Sequence, residues 1–263
     1  MGFSIVVWNM DSWRRKGNAK GWRALSDLDA DILLLNEATR PKGGMRGYAV
    51  RGRQSTRGRD YSRPWAALVG ARHPMEPVDA RVKLVRFQTG RPGAWTASVV
   101  SVPRTSGRVE RITAVSLYGL LDEMSDASVH RSLSEMAAIF DDRHYSKLVL
   151  LGGDLNTWTG WNPELEPRHL ARDRAVLQRI EAYGLIDCLK AKRRRGRLDA
   201  CPCHDRTCKH TRTRRDHSGI PYQMDYLFAS PALAERLDSC RALDTDGWFS
   251  LSDHCPIFAT FRD

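Results

Sequence analysis

The stretch Lys147-Leu148-Val149-Leu150-Leu151-Gly152-Gly153-Asp154-Leu155-Asn156 decides how this chain folds. Its apolar run, Lys147 to Leu151, is too short for a typical helix and reads as a strand buried on both faces. Directly after the two glycines, an aspartate and an asparagine stand two residues apart. The same arrangement recurs along the sequence. Asn9 and Asp11 follow the run Phe3–Trp8, and Asn36 and Glu37 follow Ile32–Leu35. Asp253 and His254 immediately precede Pro256–Phe261, and Asp225 lies inside Gln223–Ala229. Each residue alone has a plainer reading. Asn9 or Asp11 could cap a turn, Asp154 could open an Asx-turn, and Asp225 could be a buried carboxylate paired with an arginine. Together they place carboxylates and amides at successive strand ends, an oxygen-rich set suited to Mg²⁺ or Mn²⁺.

Working outward, Trp95–Val102 and Ile112–Leu117 are further strand candidates. Val129, Leu133, Met136, Ala137 and Phe140 recur at helical spacing between Ser125 and Arg143, with Ser125 or Asp126 as N-cap. Ala175, Val176, Ile180 and Tyr183 repeat the pattern, Gly184 is placed to end that helix, and Gly21–Asp29 is a shorter helix. Strands outnumber helices, and several are apolar on both faces, as in sheets packed on each other and covered by helices. Neither a composition break nor an internal repeat interrupts the sequence, so one α+β domain is expected across residues 1–263.

That length, 263 residues with 41% hydrophobic and 28% charged residues, supports a sizeable core and excludes a disordered or collagen-like chain. No apolar stretch is long enough for a transmembrane helix. Met1–Ile5 runs into a strand with no signal-peptide pattern, so a cytoplasmic protein without membrane contact is expected. The net charge is +11, with a pI of about 9.7. Arg40–Arg63 carries net +7 and Cys188–His217 net +8, leaving −4 on the remainder. Two basic loops on a mildly acidic body point to a polyanion, nucleic acid above all. In the first loop Arg53 and Arg57 lie among five glycines, and Tyr48, Tyr61 and Trp65 could stack on bases. In the second, Arg193, Arg194 and Arg195 are the densest source of phosphate contacts.

Trp8-Asn9-Met10-Asp11, Asn36-Glu37, Gly153-Asp154-Leu155-Asn156, Met224-Asp225-Tyr226 and Ser252-Asp253-His254-Cys255-Pro256 resemble the successive motifs of the endonuclease/exonuclease/phosphatase superfamily. The likeness is strongest to its DNase I-like and exonuclease III-like branches. The resemblance implies a four-layer α+β sandwich, two packed sheets flanked by helices, with a Mg²⁺-dependent phosphoesterase site at one end. It implies Glu37 as principal metal ligand, with Asn9 and Asp253 completing the cation site directly or through water and Asp11 a weaker candidate. His254 would contact the scissile phosphate with Asp225 orienting its ring. Asp154 would position or deprotonate the attacking water, and Asn156 would hold that water or the phosphoryl oxygens.

Tyr118, after the Ile112–Leu117 strand, stands where the resemblance implies a His or Tyr near the phosphoryl group; the plainer alternative is a Tyr plugging the sheet end. Gly119-Leu120-Leu121-Asp122-Glu123 lacks the Pro- and Asn-containing loop of abasic endonucleases, which argues against that specificity. The Cys-Asp-Arg signature of the inositol-phosphatase branch is absent as well.

Cys201, Cys203, Cys208 and His210 form a soft-ligand set sufficient for a closed, structural Zn²⁺ shell, with His204 and His217 as alternative ligands. A reduced thiol cluster or a redox-sensitive disulfide is the alternative. Cys188, Cys240 and Cys255 read as packed thiols. The expectation is a Mg²⁺- or Mn²⁺-dependent nuclease, DNA before RNA, with a basic Cys/His-rich insertion at about 188–217. Two alternatives accompany it: a phosphoesterase of the same superfamily on a non-nucleic-acid substrate, and a non-catalytic nucleic-acid-binding module.

Overall fold

Strand β1 (Phe3–Asn9) is buried on both faces because its alternate residues serve two different cores. Ile5 and Val7 point one way, Val6 and Trp8 the other. The structure, a computed structural model, describes residues 2–12, 18–52, 66–78, 90–121, 125–159, 167–192, 211–215 and 222–263. The remaining strands are β2 (Ile32–Ala38), β3 (Ala49–Arg51), β4 (Ala66–Ala71), β5 (Met75–Pro77), β6 (Trp95–Pro103), β7 (Val109–Leu117), β8 (Val149–Asp154), β9 (Ile186–Asp187), β10 (Asp225–Ala229), β11 (Leu237–Ala242) and β12 (Ile257–Phe261). They form two six-stranded sheets, ordered β11-β12-β1-β2-β4-β3 and β5-β6-β7-β8-β10-β9.

Between the sheets, Ile5, Val7, Leu34 and Val69 meet Val100, Ile112, Leu150 and Leu227. Outside the first sheet, Val6, Trp8, Leu33 and Leu35 pack on Trp22 and Leu25 of the helix Ala19–Leu28. Outside the second, Val115, Leu151 and Phe228 pack on Val129, Leu133, Val176 and Ile180 from the helices Ser125–Glu135 and Pro167–Ala182. The four layers expected from the sequence are therefore present. Truncating an inter-sheet residue such as Leu34 to Ala should cost about 2–5 kcal/mol.

Gly152 and Gly153 let the sheets approach at the point where β8 ends. A Cβ on Gly152 would stand 2.7 Å from Val7 Cγ2, and one on Gly153 would stand 2.5 Å from Asn36 Oδ1, both on the facing sheet. Gly153 also adopts φ 152°, a conformation that side chains disfavour.

Several local expectations change. The single helix expected over Ser125–Arg143 is three pieces, Ser125–Glu135, Ala137–Asp141 and Arg143–Ser146, with Met136 (φ −95°, ψ 3°) interrupting the first two. Asp142 is extended, and its side chain caps the third piece by accepting from the His144 N–H at 2.7 Å. Part of the glycine-rich Arg40–Arg63 stretch pairs as β3 along β4. The ends of the expected 188–217 insertion are packed into the fold: Cys188 and Leu189 belong to the inter-sheet core, and Thr213 is fully buried. Among the described residues, no helix is long and apolar enough to cross a membrane.

Candidate active site

Strand direction gathers the polar residues. β1 and β2 are parallel with Asn9 opposite Asn36, and β8 and β10 are antiparallel with Asp154 opposite Asp225. β7 runs parallel to β8, so Tyr118 emerges beside Asp154, and His254 enters just before β12, which is antiparallel to β1. Residues 245 positions apart in sequence thus meet at one end of the sandwich.

His254 and Asp225 are its tightest pair. The ring Nδ1 lies 2.7 Å from Asp225 Oδ2, and Nε2 lies 3.7 Å from Asp154 Oδ2 and 4.0 Å from Asp253 Oδ1. Burial disfavours the charged ring, but the attraction of Asp225, Asp154 and Asp253 outweighs it and lifts the His254 pKa to about 10. The Asp154 carboxyl is pushed up to about 7, chiefly by burial and further by Asp225, against the pull of His254. Ligand atoms of Asp154, Asp225 and His254 lie within 4.8 Å of one another. An imidazolium has no lone pair for a metal, so in its charged form this cluster is an ion-paired triad rather than a metal centre.

Asn9 joins this triad to Glu37. Its Nδ2 donates to Asp154 Oδ2 at 2.8 Å and to Glu37 Oε1 at 3.1 Å, while its Oδ1 accepts from the Asp11 N–H at 3.0 Å. The amide nitrogen faces the two acids, so Asn9 donates to both carboxylates. Glu37 Oε1 also accepts from the Tyr118 hydroxyl at 2.7 Å. Glu37 is half-buried in the left-handed conformation (φ 44°), which turns its side chain away from the line of β2. Asp11 is buried, with φ 46°. Asp253 is partly open, with Arg214 Nε 3.6 Å from its Oδ2. Glu37, Asp11 and Asp253 supply hard carboxylate oxygens, the donor chemistry that a magnesium-type ion requires.

Asn156 is turned inward. Its Nδ2 donates to the Gly119 carbonyl at 2.8 Å and to Asp154 Oδ2 at 3.2 Å, and its own N–H donates to Asp154 Oδ1 at 2.9 Å. In this arrangement it fixes the Asp154 carboxylate. Arg53, Arg57, Arg193, Arg194, Arg195, Cys201, Cys203, Cys208 and His210 lie outside the described residues. Cys188, Cys240 and Cys255 are buried free thiols, and burial raises the pKa of all three.

Three supporting residues, Ser252, Thr213 and Arg214, escaped sequence reasoning, and Asn36, named there only as one of the polar strand-end set, has a defined structural role. Asn36 bridges the sheets: its Nδ2 donates to Ser116 Oγ at 3.2 Å, and its Oδ1 accepts from the Asp154 N–H at 2.6 Å. Ser252 Oγ donates to the Asn9 carbonyl at 2.8 Å and accepts from the His254 N–H at 3.1 Å. Thr213 Oγ1 accepts from the N–H groups of Met224 and Asp225, both at 3.0 Å. Arg214 sits beside Asp253. Asn36 and Ser252 lie within quoted motifs, where their partner hydrogen bonds could have been sought. Thr213 and Arg214 carry no local signal, because their partners Met224, Asp225 and Asp253 lie elsewhere in the sequence.

No family model and no curated protein matches the sequence. Solved structures do match, and they define a DNase I-like α+β sandwich. The AP endonuclease LMAP from Leishmania major aligns with TM-score 0.66 at 18% identity, covering 99% of this chain and 88% of that one. A 3′ phosphatase, NExo, from Neisseria, bound to product DNA hairpin, aligns with TM-score 0.66 at 18% identity, covering 99% of this chain and 100% of that one. An AP endonuclease from Archaeoglobus fulgidus aligns with TM-score 0.59 at 19% identity over 98% and 99% of the two chains. The chain has the fold of the endonuclease/exonuclease/phosphatase superfamily.

Proposed function

We propose that this protein is a divalent-metal-dependent hydrolase of nucleic-acid phosphodiesters, with DNA the preferred substrate. The observation that carries the reading is the buried His254–Asp225 pair, with Asp154 3.7 Å from the opposite ring nitrogen and tied through Asn9 to Glu37. A structural role alone gives no reason to bury an imidazolium among three carboxylates at the mouth of a sandwich.

In the mechanism, the charged His254 presents Nε2–H to a phosphoryl oxygen of the scissile group, and Asp225 stabilises and orients that imidazolium. Asp154 is lifted into the neutral range and held by Asn9 and Asn156. It orients a water in line with the leaving oxygen and takes its proton at Oδ2. Glu37, with Asp11 and Asp253, would hold the cation, and the Tyr118 hydroxyl and the Asn9 amide fix the Glu37 carboxylate. When bound, the ion supplies Lewis-acid neutralisation of the charge that spreads over the phosphoryl oxygens. Arg53, Arg57 and Arg193–Arg195 would track the backbone phosphates, and Cys201, Cys203, Cys208 and His210 would order the second basic segment around one zinc ion.

The relatives in structure support the nucleic-acid reading through what they are called: AP endonucleases and a phosphatase bound to DNA. The test is a panel of labelled DNA, RNA, abasic DNA and small phosphoesters, each with Mg²⁺, Mn²⁺ or EDTA. Metal-dependent cleavage of polynucleotide is the expected result. Cleavage of the small esters alone, or undiminished cleavage in EDTA, would overturn the proposal. Elemental analysis should separately find about one zinc per chain, lost in Cys203→Ser.

A further inference from the structure

A second charged feature lies at the opposite end of the sandwich. β7 starts there at Val109 and ends beside the active site at Leu117, so about 26 Å of strand separates the two places. The antiparallel pair β8 and β10 spans the same distance: Leu148 and Ala232 flank their far ends, while Asp154 and Asp225 mark the near ends. The far end holds a solvent-open cavity of about 650 Å³, lined by five arginines, a lysine and a histidine against one carboxylate, Glu110.

These cations fall into two groups. Arg104 and Arg236 both pair with Glu110 Oε2, at 2.9 and 2.8 Å, Arg104 also pairs with Asp263, and Arg111 pairs with Glu76. They form a fixed, neutralised frame. Arg108, Arg143 and Lys147 make no ion pair among the described residues, although they converge on the same hollow. One donor of the frame is also unanswered: Arg236 Nη2 is buried and lacks a hydrogen-bond partner among the described residues. Between the charges lie Val109, Leu148 and Ala232, and Val109 is 63% exposed.

Excess cations spread over a convex surface would repel one another and remain solvated. Gathered around a hollow whose lining also includes the apolar side chains of Val109, Leu148 and Ala232, they match an anion that also carries a hydrophobic part. The volume falls in the range of small-molecule sites. A straight duplex engaged at the active site could not also enter a hollow some 26 Å away at the opposite end. We infer that this cavity binds a small, multiply phosphorylated anion of nucleotide size. The phosphates sit on Arg108, Arg143 and Lys147, and an apolar ring sits over Val109 and Leu148. This inference does not depend on the hydrolase reading.

The experiment is calorimetric titration of the full chain with ATP in EDTA at about 0.1 M salt, which suppresses metal-assisted binding at the active site. Inorganic tripolyphosphate and AMP serve as competitors. Saturable binding of about one ATP per chain is expected. Arg108→Glu/Arg143→Glu/Lys147→Glu should weaken it by about 100-fold, and His254→Ala should leave it unchanged. Tripolyphosphate should compete more strongly than AMP if phosphate charge dominates recognition. The triple variant should retain its circular dichroism and, without ATP, its phosphodiesterase rate, since none of the three residues belongs to the active site. Absence of saturable binding would overturn the inference, as would a loss caused by His254→Ala instead of the triple change. A DNA oligonucleotide that binds this hollow in place of ATP would overturn it in favour of a nucleic-acid contact.

Discussion

The two ends of the sandwich are made by the same strands and solve opposite electrostatic problems. Where β8 and β10 present Asp154 and Asp225, polar groups are buried and nearly every one is held by a named partner from another strand. Where those strands present Val149 and Ala229, the adjoining turns carry exposed arginines around an open hollow. Burial is what separates them. At the candidate-site end, burial lifts the Asp154 carboxyl to about 7, and the facing carboxylates lift His254 to about 10 against the opposing effect of burial. At the far end, solvent screens each cation, so recognition must come from several acting together.

The largest effects should separate the ends most sharply. His254→Ala and Glu37→Ala should each lower phosphodiester turnover by at least about 10²–10³-fold with the fold intact by circular dichroism. A far-end charge reversal should leave turnover alone. Equal losses at both ends would erase the distinction. A smaller loss is expected from Tyr118→Phe, which removes the hydroxyl that donates to Glu37 Oε1. A hydrogen bond to a charged group is worth about 1.5–3 kcal/mol, so turnover or apparent Mg²⁺ affinity should fall by about 10–100-fold. A Phe variant with wild-type metal dependence would reduce Tyr118 to a plug at the sheet end.

Nucleic-acid affinity offers a finer contrast. Changing Arg193, Arg194 and Arg195 to Ala should flatten the dependence of log affinity on log salt by up to about 0.9 per lost duplex phosphate contact. Turnover at saturating substrate should barely change. An unaltered slope would remove this segment from the substrate path.

The smallest effect concerns stability in the half of the second sheet away from the site. Asp187 pairs with Phe228 on β10, and its carboxylate accepts from the Lys190 N–H at 3.0 Å. Burial raises its pKa to about 6, so the folded state resists its ionisation. Its contribution to stability is greatest below the unfolded carboxyl pKa and is lost as pH rises through about 6. Asp187→Asn keeps an acceptor for the Lys190 N–H without the charge. It should therefore raise Tm by a few degrees above pH 7 and match wild type below about pH 4. The same gain at both pH values would show that ionisation is not the cause.

How far each end was legible follows from how its residues are specified. Short apolar runs closed by polar residues marked β1, β2, β8 and β12, because period and composition are local properties. The order Asn9, Glu37, Asp154, Asp225 and His254 was also visible, since each lies at or near a strand end. β4 was missed because Ala66-Ala67-Leu68-Val69-Gly70-Ala71 has weak strand propensity and is held by pairing with β2 and β3. The helix over residues 125–143 was drawn too long because apolar spacing does not register the break at Met136 and the extended Asp142.

The sequence by itself determined the alternation that makes two sheets and the set of acids, amides and histidine that could act together. Tertiary structure alone decided how those groups face one another. Asn9 turns its nitrogen toward two carboxylates, Asn156 turns inward, and Thr213 supports the backbone of Asp225. It also decided that Arg108, in the connection between β6 and β7, shares one hollow with Arg143 and Lys147 at the two ends of the short helix before β8. Residue type is written locally, whereas side-chain direction, burial and charge coupling depend on neighbours delivered by strand order and register.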